Sequence, residues 1–336
     1  MLKWSVIIIG RNEGRHLRNC IHSVKRALEK VGGGEIIYVD SSSRDDSIKI
    51  ALSEGIQVIG TDFPRPTAGV SRNVGAKYAV GEYIQFIDAD IYMDEDWLLN
   101  VERAFKEYDD VSMVCGQLEE ANDSKLAKFY SVAWTERRVG YLEYPIGGGG
   151  AFKKKDFLDI GGYNINLLRG QETELGYRMR SMGYKILGIP NIYGTHHLNV
   201  RNIFDFFKRI KNMAISYTYN YLDKDYSYNK IFYNQAKRNL AQGIILIFVL
   251  FFLISVLFIN LKLFFSIIIL IFLFILPILI NIKINKYIFI LEKFFLNIFE
   301  IFFLFKTYLK YQKSYPKNEL KNDNIIIYNF LHKIYL

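Results

Sequence analysis

The chain has 336 residues, 51% of them hydrophobic, and a formal net charge of +9. Residues 1–200 hold 25 Lys and Arg against 27 Asp and Glu, whereas residues 201–336 hold 18 against 7. A near-neutral front and a basic, apolar back exclude a nucleic-acid module and point the back half at an anionic membrane surface. Cys20 and Cys115 are the only cysteines. With no close His or Cys partner they form neither a disulfide framework nor a zinc site, and they read as small core residues in a reducing compartment. The apolar stretch Trp4 to Ile9 is too short for a signal peptide and runs straight into Arg11, Asn12 and Glu13, so the front domain is expected to stay cytoplasmic.

Trp4–Ile9 is a continuous apolar run rich in β-branched residues, which predicts a buried strand. Leu17, Ile21, Val24, Leu28 and Val31 then recur at helical spacing, and Gly32-Gly33-Gly34 ends that helix. Glu35–Asp40 reads as a second strand, Asp45-Asp46-Ser47 opens a second helix, and Ile56–Ile59 reads as a third strand. Strand, helix, strand, helix, strand is the pattern of a parallel sheet covered on both faces. Gly81 to Asp90 predicts a fourth strand ending in Asp88-Ala89-Asp90. Val111–Gly116, a helix over Gln171 to Met182 and a short strand over Tyr184–Ile189 follow.

Ligands of such sheets bind beyond the carboxyl ends of the strands. Acids collect there: Glu13 after the first strand, Asp40 after the second, Asp88 and Asp90 after the fourth. Two carboxylates one residue apart repel, and a hard divalent cation held against phosphate oxygens gives them a reason to share a strand end. A solvated acidic turn is the plainer alternative.

From Arg201 the character changes. Ile203, Phe204, Phe206, Phe207, Ile210 and Met213 lie among Lys208, Arg209 and Lys211, which predicts a basic amphipathic helix in the membrane interface. Ile244–Ile259 and Leu263–Ile280 are nearly uncharged, and with their flanks each approaches the roughly 20 residues needed to span a bilayer. Asn260-Leu261-Lys262 joins them as a hairpin, and Lys237, Arg238, Lys283 and Lys286 place both ends in the cytoplasm. Tyr287–Phe305 carries a polar stripe of Lys293, Asn297 and Glu300 and reads as an interfacial helix or a third span. The tail from Lys306 is expected to pack poorly. The expected organisation is thus a catalytic domain at 1–200, an interfacial helix and linker at 201–239, two membrane helices at 240–282, and an amphipathic or third membrane helix with a cytoplasmic tail at 283–336.

Several segments occur in a telling order: Asn12-Glu13, Val39-Asp40-Ser41-Ser42-Ser43-Arg44-Asp45-Asp46-Ser47, Ser71-Arg72-Asn73-Val74-Gly75, Gly81 to Asp90, Gly161-Gly162-Tyr163 and Gln171-Glu172-Thr173-Glu174-Leu175. Together they resemble the family 2 glycosyltransferases over roughly residues 3–200. The resemblance implies an A-type nucleotide-sugar fold, Rossmann-like and mostly parallel, and an inverting, metal-dependent transfer. By resemblance Asp90 is the closer ligand of a divalent cation, Mg2+ or Mn2+, and Asp88 faces the ribose or a metal-bound water. Asp40 matches the acid that hydrogen-bonds the nucleotide base, although Ser41 and Ser42 stand where the family often has Asp and Gly, and Glu13 lies in the same pocket. Capping of the following turn is the other reading of Asp40. Arg72 suits contact with the diphosphate, or else makes a surface salt bridge. Gln171-Glu172 stands where the family carries Glu-Asp, so Glu172 matches the catalytic base with one more methylene, and Glu174 is the runner-up. One of His196 and His197, taken as His197, completes the metal shell, which leans toward Mn2+. Gly147 to Gly150 floors the acceptor site, while Trp97 and Trp134 suit the core better than sugar stacking.

The resemblance and the apolar tail together lead to a multi-pass enzyme of the inner or plasma membrane. It takes a nucleotide-sugar donor and glycosylates a hydroxyl of a lipid-linked glycan for a surface polysaccharide or glycoconjugate. The alternatives are a polyprenyl-phosphate sugar synthase and a non-catalytic membrane scaffold that kept the fold.

Overall fold

The computed structural model describes residues 3–64, 66–121, 138–145, 149–197, 204–205, 208, 254, 325–328 and 333–335. One compact unit comprises Met1–Asp123, Trp134–Leu198 and Pro316–Leu336, and a second comprises Ser124–Ala133 and Asn199–Tyr315. The described strands and the helices named below all belong to the first.

Strands β1 (Trp4–Gly10), β2 (Glu35–Asp40), β3 (Gln57–Thr61) and β4 (Tyr83–Asp88) lie parallel in the order β3-β2-β1-β4. Their side chains alternate between two cores. Val6, Ile8 and Tyr38 face one side with Leu17, Ile21 and Val24 of α1 (Leu17–Glu29) and Trp97, Leu98 and Val101 of α4 (Trp97–Glu107). Ile7, Ile9, Ile37 and Val39 face the other with Val70 and Val74 of α3 (Ala68–Tyr78). Burial on both faces is why these strands read as unbroken apolar runs. Helix α2 (Ser47–Ser53) contributes Ala51 to the first core. Helices α5 (Lys154–Asp159) and α6 (Gln171–Ser181) contribute Phe157, Leu175 and Met179 to the second.

Past β4 the sheet changes direction, so the expected mostly parallel sheet is corrected to a mixed one. β8 (Ala151–Lys153) runs antiparallel between β4 and β6 (Val111–Glu120), and β9 (Lys185–His196) lies parallel to β6. β5 (Ile91–Met93) and β7 (Gly140–Tyr141) pair antiparallel with β9. A strand buried on both faces has the same composition whichever way it runs, so direction is not written in the apolar run itself.

Strand β9 extends well beyond the expected Ile189. Pro190 cannot donate to a ladder, and the register slips there: Cys115 pairs with Gly188, but Gln117 pairs with Ile192. The bulge absorbs the proline and lets the strand run on to His196 at the rim.

The tail also departs from expectation. β10 (Ile325–Tyr328) pairs antiparallel with β3, Ile325 is buried, and β11 (Lys333–Tyr335) pairs with β10. The poorly packed tail expected after Lys306 is therefore corrected in its last part, which extends the sheet of the front unit. The expected spans at 240–282 lie outside the described residues apart from Ile254. The interfacial helix is described only at Phe204, Asp205 and Lys208, which are helical. Among the described residues no helix is long and apolar enough to cross a membrane.

Helix α3 sits close on the sheet because Gly75 has no side chain: a Cβ there would lie 2.3 Å from Ile7 Cγ2. Gly75→Ala is expected to destabilise the domain by roughly 1–3 kcal/mol through overpacking. Urea unfolding of the full chain measures this, and an unchanged midpoint would show that the contact relaxes freely.

Candidate active site

The parallel register aligns the strand ends. Gly10 stands beside Asp40 and Ile9 beside Asp88, so the loops after β1, β2 and β4 share one rim. The first two loops are stitched together. Asn12, at φ 58°, receives a hydrogen bond on its side chain from the Arg44 amide (2.8 Å), and its own amide donates to Ser43 Oγ (2.8 Å). The Gly14 amide donates to Asp45 (2.9 Å) and the Glu13 amide to Ser47 Oγ (3.0 Å). Asp45 also accepts from the Ser47 amide at 3.1 Å, which restrains the start of α2. Asp46 makes no such cap and pairs with Lys49 instead.

Asp40 is fully buried. Its carboxylate accepts from the Tyr38 hydroxyl (2.9 Å) and from the Ser43 amide (2.8 Å). The Ser43 contact is the one the capping reading describes, and Tyr38 on the same strand holds the other oxygen. That an acid ends the second strand is legible in the sequence; which way its carboxylate faces is not.

The surface salt bridge considered for Arg72 is corrected. Arg72, on α3, is 2% exposed. Its Nη2 donates to Asp88 Oδ1 at 2.9 Å, its Nη1 lies 3.6 Å from Glu172 Oε1 and 3.4 Å from Gln171 Oε1, and its guanidinium lies 5.1 Å from the Tyr163 ring centre. In place of a surface salt bridge stands a buried fork that joins a strand end to a helix start. Its neighbour Asn73 fixes the loop opposite: Nδ2 donates to Tyr163 O (2.7 Å) and Oδ1 accepts from the Tyr163 amide (2.8 Å). Gly162 has φ +68°, and a Cβ on it would meet Asn73 Oδ1 at 2.6 Å, so the Gly161-Gly162-Tyr163 segment needs its glycine for shape.

The two glutamates of α6 separate by environment. Glu174 is buried and forms a two-pronged ion pair with Arg178, which also donates to Ile160 O (2.6 Å) and Gly162 O (2.7 Å). It is committed to structure. Glu172 is about a quarter exposed at the helix start, beside Arg72 and across it from Asp88. The glycine run is corrected where it is described: Gly149 and Gly150 are buried, and a Cβ on either would strike Tyr193 or Met113. They serve core packing, while Gly147 and Gly148 lie outside the described residues. Trp97 is a core residue whose indole donates to Gln85 Oε1 at 2.7 Å; Trp134 lies outside the described residues.

Of the two histidines, His196 and not His197 faces Asp90. His196 Nε2 lies 3.3 Å from Asp90 Oδ2, and Nδ1 lies 2.9 Å from Glu120 Oε2. Burial disfavours the imidazolium, yet the hydrogen bonds to Asp90 and Glu120 hold its pKa up at about 10. His197 instead packs its ring on Tyr92, with centres 4.0 Å apart, and beside His16 at 5.2 Å. Successive residues of a strand point to opposite faces, so only one of the pair can meet Asp90, and the register of β9 decides which. Glu120 was not picked out from the sequence; its place at the end of β6, opposite His196, depends on the Pro190 bulge.

The acids crowd one another. Burial first, then the charges of Asp90, Asp88 and Asp45, push Glu13 up to about 7. Burial also raises Asp88, with Arg72 opposing and Asp90 adding. A divalent cation relieves such crowding, and the donor chemistry fits one: Asp88 and Asp90 offer hard oxygens, with His196 Nε2 beside them. Among the described residues no group of three or more His, Cys, Asp or Glu is arranged to hold a metal ion. Mg2+ is commonly bound through one or two carboxylates and completed by phosphate oxygens and water.

In the absence of metal the crowding has a pH signature. An acid whose folded pKa is raised costs stability as pH climbs from the unfolded value of 4.5 to about 7, and the cost is complete above 7. Glu13→Gln is therefore expected to stabilise the chain by on the order of 1 kcal/mol at pH 8, allowing for solvent screening, and not at all at pH 4. Unfolding in a chelator at the two pH values measures the difference; an equal effect at both would reject the assignment.

Comparison with known proteins matches residues 5–154 to the family described as Glycosyl transferase family 2. A "Probable N-acetylgalactosaminyltransferase 9" of Caenorhabditis elegans is 24% identical over 230 residues, 58% of this chain and 39% of the relative. The "Poly(ribitol-phosphate) beta-N-acetylglucosaminyltransferase TarS" of Staphylococcus aureus is 28% identical over 104 residues, 29% of this chain and 18% of the relative. The chain thus spans less than half the length of these relatives. Among solved structures, the mannosyltransferase PcManGT of Pyrobaculum calidifontis, in complex with GDP-Man and Mn2+, shares the fold at a TM-score of 0.63 and 16% identity, over 91% of this chain and 88% of that one. The match to Glycosyl transferase family 2 falls on residues 5–154, the segment that carries β1 to β8 and the acids at the ends of β1, β2 and β4.

Proposed function

We propose that this chain moves a sugar, with inversion, from a nucleotide-sugar donor to a hydroxyl of a lipid-linked glycan at the inner or plasma membrane, in the synthesis of a surface polysaccharide or glycoconjugate. The observation that carries the reading is the Arg72 fork. It brings the acidic end of β4 and the acidic start of α6 to one rim, with Asp88 2.9 Å from one guanidinium nitrogen and Glu172 3.6 Å from another. A transferase needs such a pairing: an anion-holding end for the departing diphosphate, and a carboxylate to take the acceptor's proton.

Asp90 and Asp88 would hold a divalent cation, which supplies charge neutralisation to the leaving diphosphate. Glu172 accepts the proton of the acceptor hydroxyl as the oxygen attacks the sugar. Its partial exposure leaves the carboxylate open to an incoming alcohol. The relatives support the donor class: by name they transfer N-acetylgalactosamine, or N-acetylglucosamine onto poly(ribitol phosphate), and the mannosyltransferase of the same fold carries GDP-Man with Mn2+. The base at the helix start favours a hydroxyl acceptor over a polyprenyl phosphate, which is already an anion and needs no proton removed. The uncharged stretches within 240–282 support attachment as a helical hairpin, with the domain on the cytoplasmic side by the basic flanks Lys237, Arg238, Lys283 and Lys286.

Asp90→Ala is expected to lower transfer from a radiolabelled nucleotide sugar to extracted lipid by on the order of 100-fold or more, with the protein still recovered in the membrane fraction. Wild-type transfer by the variant would remove Asp90 from the site. Glu172→Gln is expected to reduce kcat by roughly 100- to 10,000-fold while donor KM stays within about threefold. A loss confined to KM would make Glu172 a binding group and place the base elsewhere.

A further inference from the structure

We propose that Glu120 is a positioning residue of the donor site, holding the His196 ring so that Nε2 faces Asp90. The inference rests on the reading of Asp90 as part of that site and adds to it a residue on a different strand. Three strands converge to make the arrangement. β5 pairs with β9 so that Ile91 stands opposite His196, and the His197 amide donates to Asp90 O at 2.8 Å. β6 pairs with β9 so that Glu120 stands opposite His196, and the Ala121 amide donates to His196 O at 2.8 Å. The backbone of β9 is thus fixed on both sides at the residue that carries the imidazole.

The side chains continue the same row. Glu120 Oε2 lies 2.9 Å from Nδ1, and Nε2 lies 3.3 Å from Asp90 Oδ2. Only 7% of the Glu120 side chain is exposed, against 18% for His196 and 26% for Asp90, so exposure rises along the row toward the rim. A carboxylate buried behind a histidine, accepting from the ring nitrogen farther from the site, fixes the plane of the ring and directs the other nitrogen outward. Such outer carboxylates typically alter metal affinity by about 10- to 100-fold when removed. A purely structural staple between β6 and β9 would hold the strands together and leave ion binding unchanged.

The test is Mn2+ binding to the full-length protein, followed by the loss of the free-ion electron paramagnetic resonance signal, alongside transfer kinetics. Glu120→Ala is expected to weaken Mn2+ binding at least 10-fold, and Glu120→Asp to recover part of the loss, at temperatures where circular dichroism shows all variants folded. If Glu120→Ala fails to fold, Glu120→Gln, which keeps the shape and still accepts from Nδ1 through its carbonyl oxygen, is measured in its place and is expected to weaken binding by a smaller factor. Binding by Glu120→Ala, or by Glu120→Gln in its place, equal to wild type, with Asp90→Ala defective, would overturn the role of Glu120 and leave the proposed function standing. Absence of Mn2+ binding by the wild type, with transfer insensitive to chelator, would overturn both.

Discussion

A guanidinium with almost no solvent cannot stand alone. Arg72 is 2% exposed, and breaking a buried ion pair by removing one partner typically costs about 3–5 kcal/mol. The fold meets this demand with two carboxylates from distant parts of the chain, Asp88 at the tip of β4 and Glu172 at the start of α6. The constraint works in both directions. Arg72 requires those acids to be near, and their nearness brings a strand end and a helix start to one rim. Truncating Arg72 would leave Asp88 and Glu172 without the cation they share.

The sheet supplies the other half of the arrangement. Parallel strands put their carboxyl ends on the same side, and apolar burial on both faces holds them in register. The rim thereby acquires acids from three loops, and the direction change beyond β4 adds two more groups, Glu120 and His196, from strands that arrive by a different route. Burial, and then the like charges gathered in this way, push Glu13 up to about 7. Their repulsion costs stability, and the large packed core of the sheet offsets it.

The legible part of the sequence was the part governed by short-range pattern. β1, α1 and β2 follow from apolar periodicity and acid-terminated runs, and the ordered motif blocks placed Asp88, Asp90 and Glu172 near one another in chain logic. Helix α3 was not legible because Gly69, Ser71, Gly75 and Ala76 give it little apolar periodicity; its clearest mark is Thr67, whose side chain accepts from the Val70 amide. Helix α4 was not expected either, although Trp97, Leu98, Val101 and Phe105 carry a helical spacing. What pattern cannot encode is parity and partner. Whether His196 or His197 meets Asp90 depends on a bulge at Pro190. Whether Asp40 faces a ligand or its own turn depends on the Tyr38 hydroxyl. Whether the tail packs depends on an open edge at β3, more than 260 residues earlier in the chain.

The relation between the two acidic ends follows from a further pair of restraints. Residues two apart on a helix point about 200° apart, so Glu172 and Glu174 cannot serve the same face. Glu174 turns inward to Arg178, and Arg178 reaches on to Ile160 O and Gly162 O. Asn73, beside Arg72 on α3, grips the same loop at Tyr163 through both its amide groups. The loop over Ile160 to Tyr163 is therefore held from α6 on one side and from α3 on the other, which fixes the two helices relative to each other. Arg72 and Glu172 ride on those helices one and six residues from the gripping side chains Asn73 and Arg178. Their 3.6 Å separation is thus set by contacts that do not involve any substrate, so the distance from the strand-end acids to the helix-start acid is built into the folded domain before a donor arrives.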